Sequence, residues 1–178
     1  SQAAFLAVLG CVAGGTTVTG LAPDSRQGDK VILDILKRCG GKIKTTSDGY
    51  AFARSLLRAT EIDLADCPDL GPVLFTLGCF CSGETVIHNA GRLRMKESDR
   101  IEAMQTELQK MGARITVDGD DVHITGVALH APEEPLSGHN DHRVVMALAV
   151  AACAAGLPAC ILGAGAVNKS WPAFWDVL

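Results

Sequence analysis

Aromatic side chains are scarce in this sequence of 178 residues, which holds five Phe, two Trp and one Tyr. With Gly and Ala abundant instead, a ring-rich binding surface is excluded and helices packed close together are expected. No basic block occurs, and 16 Lys and Arg against 20 Asp and Glu leave a formal charge of −4. A nucleic-acid partner needs a concentrated cationic footprint and is not expected. The most apolar stretches are cut by Gly, Pro or charge, so no membrane span is expected. No signal-peptide pattern is present either, and the expectation is a cytoplasmic protein. The seven cysteines are odd in number, and no His or Cys pair sits at zinc-finger spacing. They read as reduced, mostly buried thiols. A glycine-rich fingerprint following a strand is also missing, which disfavours a doubly wound dinucleotide-binding fold. The length suits one domain with a substantial core.

What is there is a repeat. Residues 3–12 are apolar on every side, which demands a buried helix. Gly14-Gly15 ends it before the β-prone Thr16-Thr17-Val18-Thr19. A loop around Pro23 and Asp24 leads to an amphipathic helix over 29–39, with Asp29 as its N-cap. Two strands then flank Asp48-Gly49, a hairpin signal. The same order returns as an apolar helix over 71–81, a strand over 84–87 and a loop carrying Arg92, Arg94 and Lys96. An amphipathic helix over 97–111 and two strands about Asp118-Gly119 follow. A third copy has an apolar helix over 142–155, a strand over 159–162, a loop over 163–169 and the start of an outer helix.

Repeats of this length are supersecondary units that bury their apolar faces against one another. Units near 1–56, 57–126 and 127–178 are therefore expected to bring three dry helices together inside a shell of strands and amphipathic helices. Small residues such as Gly10 and Gly78 would let the helix backbones approach. The first unit has no leading strand and the third no trailing hairpin, so the chain reads as an excised, incomplete single domain over 1–178.

Three loop-to-helix junctions carry the candidate chemistry. Asp69 is either a helix cap or a carboxylate beside a bound hydroxyl. Lys96 and Arg100 share a helix face if the first turn includes Lys96, and Glu97 is paired i,i+3 with Arg100. A surface ion pair alone would contribute under about 1 kcal/mol. Arg92, Arg94, Lys96 and Arg100 near one helix N-terminus, however, are unfavourable unless an anion sits among them. At the third junction, His139-Asn140-Asp141-His142-Arg143, Arg143 reads as an anion clamp with His142 orienting it or handling a proton. A metal site from His139, Asp141 and His142 is the weaker alternative, because adjacent side chains diverge. Lys169 adds a charge from the matching loop. Together these residues point to a small anionic substrate, its phosphate and carboxylate groups held by Arg and Lys beside one or two carboxylates.

The run Leu93-Arg94-Met95-Lys96-Glu97-Ser98-Asp99-Arg100-Ile101, with Asn140-Asp141-His142-Arg143 and Gln27-Gly28-Asp29, resembles the 5-enolpyruvylshikimate-3-phosphate synthases. Cys67-Pro68-Asp69 and Asn168-Lys169-Ser170-Trp171-Pro172 agree, and the similarity extends over the whole chain. The resemblance implies an α/β fold, an inside-out α/β barrel of βαβαββ units around three buried parallel helices. It implies one domain of a two-domain transferase, with the other domain missing. The activity implied is transfer of the enolpyruvyl group of phosphoenolpyruvate to the 5-hydroxyl of shikimate 3-phosphate, without cofactor or metal, in aromatic amino acid biosynthesis. Asp69 would then stand near the 5-hydroxyl, Lys96 would contact that substrate and share in proton handling, and Glu97 would serve the methylene carbon. Arg100, Arg143 and Lys169 would bind phosphoenolpyruvate, with His142 hydrogen-bonding beside them. The alternatives are the sister transferase acting on UDP-N-acetylglucosamine and a non-catalytic anion-binding repeat domain.

Overall fold

The computed structural model describes residues 2–21, 24–25 and 27–178; Pro23, central to the expected first loop, lies outside them. The first unit comprises α1 (Gln2–Ala13), β1 (Thr16–Thr19), α2 (Ile32–Arg38), β2 (Lys42–Thr45) and β3 (Gly49–Ala53). The second is β4 (Glu61–Asp63), α3 (Gly71–Phe80), β5 (Glu84–His88), α4 (Arg100–Gln109), β6 (Arg114–Asp118) and β7 (Asp121–Thr125). The third holds β8 (Leu136–Ser137), α5 (His142–Ala155), β9 (Ile161–Leu162) and α6 (Phe174–Val177). Only the second shows a full βαβαββ order among the described residues. Its sheet runs β4-β5-β7-β6, with β4 parallel to β5 and the remaining pairs antiparallel. The first sheet, β1-β3-β2, is antiparallel throughout, and β8 pairs with β9 in parallel. The three-residue strand β4 has too short a pattern to be read from sequence.

The dry helices α1, α3 and α5 touch one another at the centre. Every residue of α3 from Gly71 to Cys79 is buried, as is α5 from Val144 to Ala152. Each large apolar side chain buried this way contributes about 1.5–3 kcal/mol. One hydroxyl interrupts this oil: Thr76 Oγ1 on α3 donates to the Ala147 carbonyl of α5 at 2.9 Å. Thr76→Val should cost about 1 kcal/mol, since the carbonyl keeps its place in the α5 ladder. The measurement is the urea midpoint at constant m-value, and an unmoved midpoint would show that the bond adds no stability.

Glycines act differently from the sequence expectation. Gly10 and Gly78 admit strands, not neighbouring helices. A Cβ on Gly10 would stand 2.6 Å from Cβ of Phe52 on β3, and one on Gly78 would stand 3.0 Å from the Ile124 side chain on β7. The two Asp-Gly signals also differ physically. Gly119 takes φ +59 between the paired Asp118 and Asp121, a two-residue turn that needs a left-handed residue in first place. Gly49 begins β3, and a Cβ there would fall 1.9 Å from the Val18 carbonyl oxygen.

Two helix starts move. Asp29 is not the N-cap of α2; it lies inside a 3-10 turn, Gly28–Val31, that precedes the helix. Helix α4 begins at Arg100, three residues later than expected, because Asp99 caps it by accepting from Glu102 N at 3.0 Å. The expected loop carrying Arg92, Arg94 and Lys96 and the expected loop 163–169 hold matching 3-10 helices, Ala90–Met95 and Ala164–Lys169, each entered through a left-handed residue, Asn89 or Gly163. This shared turn delivers Lys96 from just beyond its end and Lys169 from its last residue. The seven cysteines are free, with Cys153 and Cys160 exposed and the others buried. Among the described residues no helix is long and apolar enough to cross a membrane.

Candidate active site

Asp69 sits in a 3-10 turn, Pro68–Leu70, immediately ahead of α3. Its Oδ1 pairs with Lys96 Nζ at 3.3 Å and with Arg100 Nη1 at 3.4 Å. Its Oδ2 accepts from Arg143 Nη2 at 3.2 Å, and Arg143 Nη1 donates to the Asp69 backbone carbonyl at 3.2 Å. The mouths of α3, α4 and α5 therefore meet on one carboxylate. Burial by itself would raise the Asp69 pKa, but Arg143, Lys96 and Arg100 outweigh it and hold the carboxyl below its usual value.

Beneath Asp69 lies Arg100, the first residue of α4, with 0% of its surface exposed. Its Nε donates to Asp141 Oδ2 at 2.8 Å and its Nη2 to Asp141 Oδ1 at 3.2 Å. The same Nη2 donates to Glu97, and Nη1 to Asp69. A planar guanidinium can serve several carboxylates in this way, whereas an ammonium could not. Asp141 is likewise 0% exposed. It caps α5 by accepting from Arg143 N at 2.9 Å, and it accepts from Ser98 Oγ at 3.0 Å. Burial would raise its pKa, yet the hydrogen bonds and charge of Arg100, with those of Arg143 N and Ser98, bring it below normal.

The remaining residues fall around this ion-pair network. Lys96 is in extended backbone at φ −98 and ψ −159, so it reaches Asp69 from outside α4 and shares no helix face with Arg100. His142, in the first turn of α5, is 7% exposed, and its Nδ1 is buried without a hydrogen-bond partner. Burial, then Arg143, lower its pKa, so the imidazole is neutral at neutral pH. Lys169 Nζ donates to the Asn140 carbonyl and, at 3.0 Å, to Asn140 Oδ1.

Arg92 and Arg94 do not join. Arg92 donates to the Ala65 carbonyl at 3.2 Å, while Arg94 donates to the Gly119 carbonyl at 3.1 Å and pairs with Asp99 at 3.6 Å. Their clustering in sequence overstated the charge at the site. The weaker metal alternative also fails on geometry. His139 Nε2 lies 2.9 Å from Glu107 Oε1, and Asp141 is committed to Arg100. Among the described residues no group of three His, Cys, Asp or Glu is placed to hold a metal ion.

Formally, Lys96, Arg100, Arg143 and Lys169 set against Asp69, Glu97 and Asp141 leave one excess positive charge. A cavity of about 330 Å³ borders Asp69 and is lined by Gln27, Gly28, Asp29, Asp66, Cys67 and Pro68. A larger one, about 540 Å³, runs beside α1 and α2, meets the site at Arg143, and shares Gln27 and Asp29 with the smaller space. The smaller space adjoins the chemistry and explains why the Gln27-Gly28-Asp29 segment belongs with the site. Sequence reasoning missed Asp141 as the partner of Arg100, although an acid directly before an apolar helix is a capping signal that could have drawn attention to it. It missed Glu107 altogether, because an acid on an amphipathic helix reads as a surface residue.

A family model described as EPSP synthase (3-phosphoshikimate 1-carboxyvinyltransferase) matches residues 1–178. A 3-phosphoshikimate 1-carboxyvinyltransferase of Clostridium novyi (strain NT) is 42% identical over 175 residues, covering 98% of this chain and 40% of that protein. Its namesake in Clostridium acetobutylicum is 43% identical over 183 residues, covering 100% of this chain and 41% of that protein. Among solved structures, EPSP synthase from Acinetobacter baumannii superimposes with a TM-score of 0.81 at 26% identity, covering 99% of this chain and 44% of that one. The enolpyruvyl transferase NikO from Streptomyces tendae shares the fold, with a TM-score of 0.76 at 20% identity over 98% of this chain and 41% of that one. The chain thus spans about two fifths of the length of the curated relatives it matches.

Proposed function

We propose, on the premise that this chain belongs to the EPSP synthase family, that it forms one domain of an enzyme moving the enolpyruvyl group of phosphoenolpyruvate onto the 5-hydroxyl of shikimate 3-phosphate. The observation that carries this reading is the convergence of Lys96, Arg100 and Arg143 on Asp69. In the reaction the 5-oxygen bonds to C2 as C3 gains a proton. C3 then loses a proton as the C2–O bond to phosphate breaks, and inorganic phosphate leaves. Asp69 takes the hydroxyl proton, while Lys96 and Glu97 flank the reacting carbons and move the others. Arg143 and Lys169 hold the phosphate and carboxylate of phosphoenolpyruvate; Arg100, expected to join them, is fully buried and bonded to Asp141, Glu97 and Asp69, so it keeps the carboxylates in place beneath them. The neutral His142 offers its unpartnered Nδ1 at the same end of α5.

Asp69 is a weak base while three cations surround it. Incoming anions compete for those cations, which raises the Asp69 pKa toward the range where a carboxylate accepts a proton well. Coupling substrate binding to base strength in this way keeps the proton transfer for the loaded site. The enzyme acts in the cytoplasm and serves aromatic amino acid biosynthesis.

One excess positive charge is too little for a phosphate and a carboxylate together, so a second domain supplies the rest on closure. The full-length protein should release phosphate from phosphoenolpyruvate only when shikimate 3-phosphate is present. This chain alone should do so at under about a thousandth of that rate, because its half-site is not preorganised. A coupled phosphate assay on both proteins decides the matter. A requirement for UDP-N-acetylglucosamine in place of shikimate 3-phosphate would overturn the reading.

A further inference from the structure

Helix α4 grips the segment before α5 at two places. Arg100 holds its end, at Asp141. Two turns along the helix, Glu107 holds its beginning. The Glu107 side chain is 2% exposed; Oε2 accepts from Ser137 N at 2.9 Å, and Oε1 lies 2.9 Å from His139 Nε2. Lys110 Nζ, 2.9 Å away, supplies the balancing charge. Between the two grips, His139 and Asn140 adopt φ +49 and +52, a left-handed pair uncommon for residues with side chains, though His and Asn tolerate it better than most. That pair turns the Asn140 carbonyl and side chain toward Lys169, and it hands the chain to Asp141 for capping α5 and placing Arg143. Burial opposes ionisation of Glu107, but the Ser137 N–H, His139 and Lys110 prevail, and its pKa is lowered. A buried carboxylate on an otherwise ordinary helix face thus has all its bonds directed at one short segment and the lysine that balances it.

We propose that Glu107 is a positioning residue, which through Ser137 and His139 imposes the left-handed turn that sets Lys169 and Arg143 for the phosphoenolpyruvate anion. The proposal rests on the functional reading above. It predicts a selective defect, because Asp69 and Lys96 are carried by other segments.

The test uses the full-length protein with Glu107→Ala, Glu107→Gln and His139→Ala. Glu107→Ala should raise KM for phosphoenolpyruvate by about 10- to 100-fold, the penalty for reacting groups displaced by an ångström or so. Binding of shikimate 3-phosphate alone should weaken by a clearly smaller factor, because Asp69 loses at most its Arg143 contacts and keeps Lys96 and Arg100. Glu107→Gln, whose amide can serve both Ser137 N and His139, should restore most of the loss. His139→Ala, at a partly exposed side chain and so safe for folding, should raise KM by about fivefold through the loss of one hydrogen bond. Amide hydrogen exchange of residues 137–141 should accelerate in Glu107→Ala while that of α3 does not. Unchanged exchange there in folded Glu107→Ala and His139→Ala would overturn the clamp, and so would equal losses for both ligands. Accelerated exchange in a protein whose wild type never consumes phosphoenolpyruvate would sustain the clamp and reject the functional reading instead.

Discussion

Lys96→Met and Glu97→Gln in the full-length protein are each expected to lower kcat by about two to four orders of magnitude, the usual contribution of a positioned acid or base. Both substitutions spare the scaffold. Met preserves the stem of Lys96, which lies on extended backbone outside α4. Gln retains an oxygen able to accept from Arg100 Nη2, the contact Glu97 makes now. Thermal melting should accordingly stay close to that of the unsubstituted protein while turnover collapses. If both variants turned over at near wild-type kcat, the assignment of proton transfer to this edge of the site would be lost.

Arg100→Met should instead act on stability, costing about 3–5 kcal/mol, the penalty for removing one partner of a buried ion pair. Asp141 explains the size. It is fully buried, and without Arg100 it keeps only Ser98 Oγ and Arg143 N as donors. Arg100→Lys should rescue little, because one ammonium cannot reproduce the fork that serves Asp141, Glu97 and Asp69.

The pH dependence gives a sharper signature. In the unsubstituted chain the Asp141 pKa is lowered on folding. The unfolded chain, with its carboxyl near about 3.9, therefore binds the proton first on acidification. The stabilisation is present above that pH and is lost as pH falls toward the folded value. In Arg100→Met burial acts without its main counterweight, so the folded pKa rises and protonation favours the folded state. The stability gap between the two proteins should be widest near neutral pH and should shrink through the carboxylate range. Denaturant midpoints measured at several pH values test this, and a gap independent of pH would remove Asp141 as its source.

The dry helices were legible because a segment with no polar face has only one stable place; α3 and α5 are buried where that argument put them, while α1 buries six of its twelve residues and leaves the rest partly open. Both hairpins were legible from Asp-Gly flanked by β-prone residues, although Gly49 turned out to answer the Val18 carbonyl and not a turn dihedral. Arg92 and Arg94 show the limit. They are cations in the same short run as Lys96 and Arg100, yet backbone carbonyls of Ala65 and Gly119 draw them away from Asp69. Glu107 shows it again, being a commonplace helical acid in sequence and a buried anchor in space.

By itself, the order of residues determined which segments must avoid water, where they stop, and which charged residue types stand at their mouths, since hydrophobic pattern, glycine stops and capping are local properties of a chain. Only the tertiary structure decided that one carboxylate, Asp69, would gather Lys96, Arg100 and Arg143, and that Asp141 would hold Arg100 from below. Two of those pairings, Asp69 with Arg143 and Arg100 with Asp141, join the second repeat to the third, and the other two join segments about 30 residues apart within the second. They depend on how the central helices pack, and electrostatic attraction strong enough to matter arises only where that packing has removed water from between the charges.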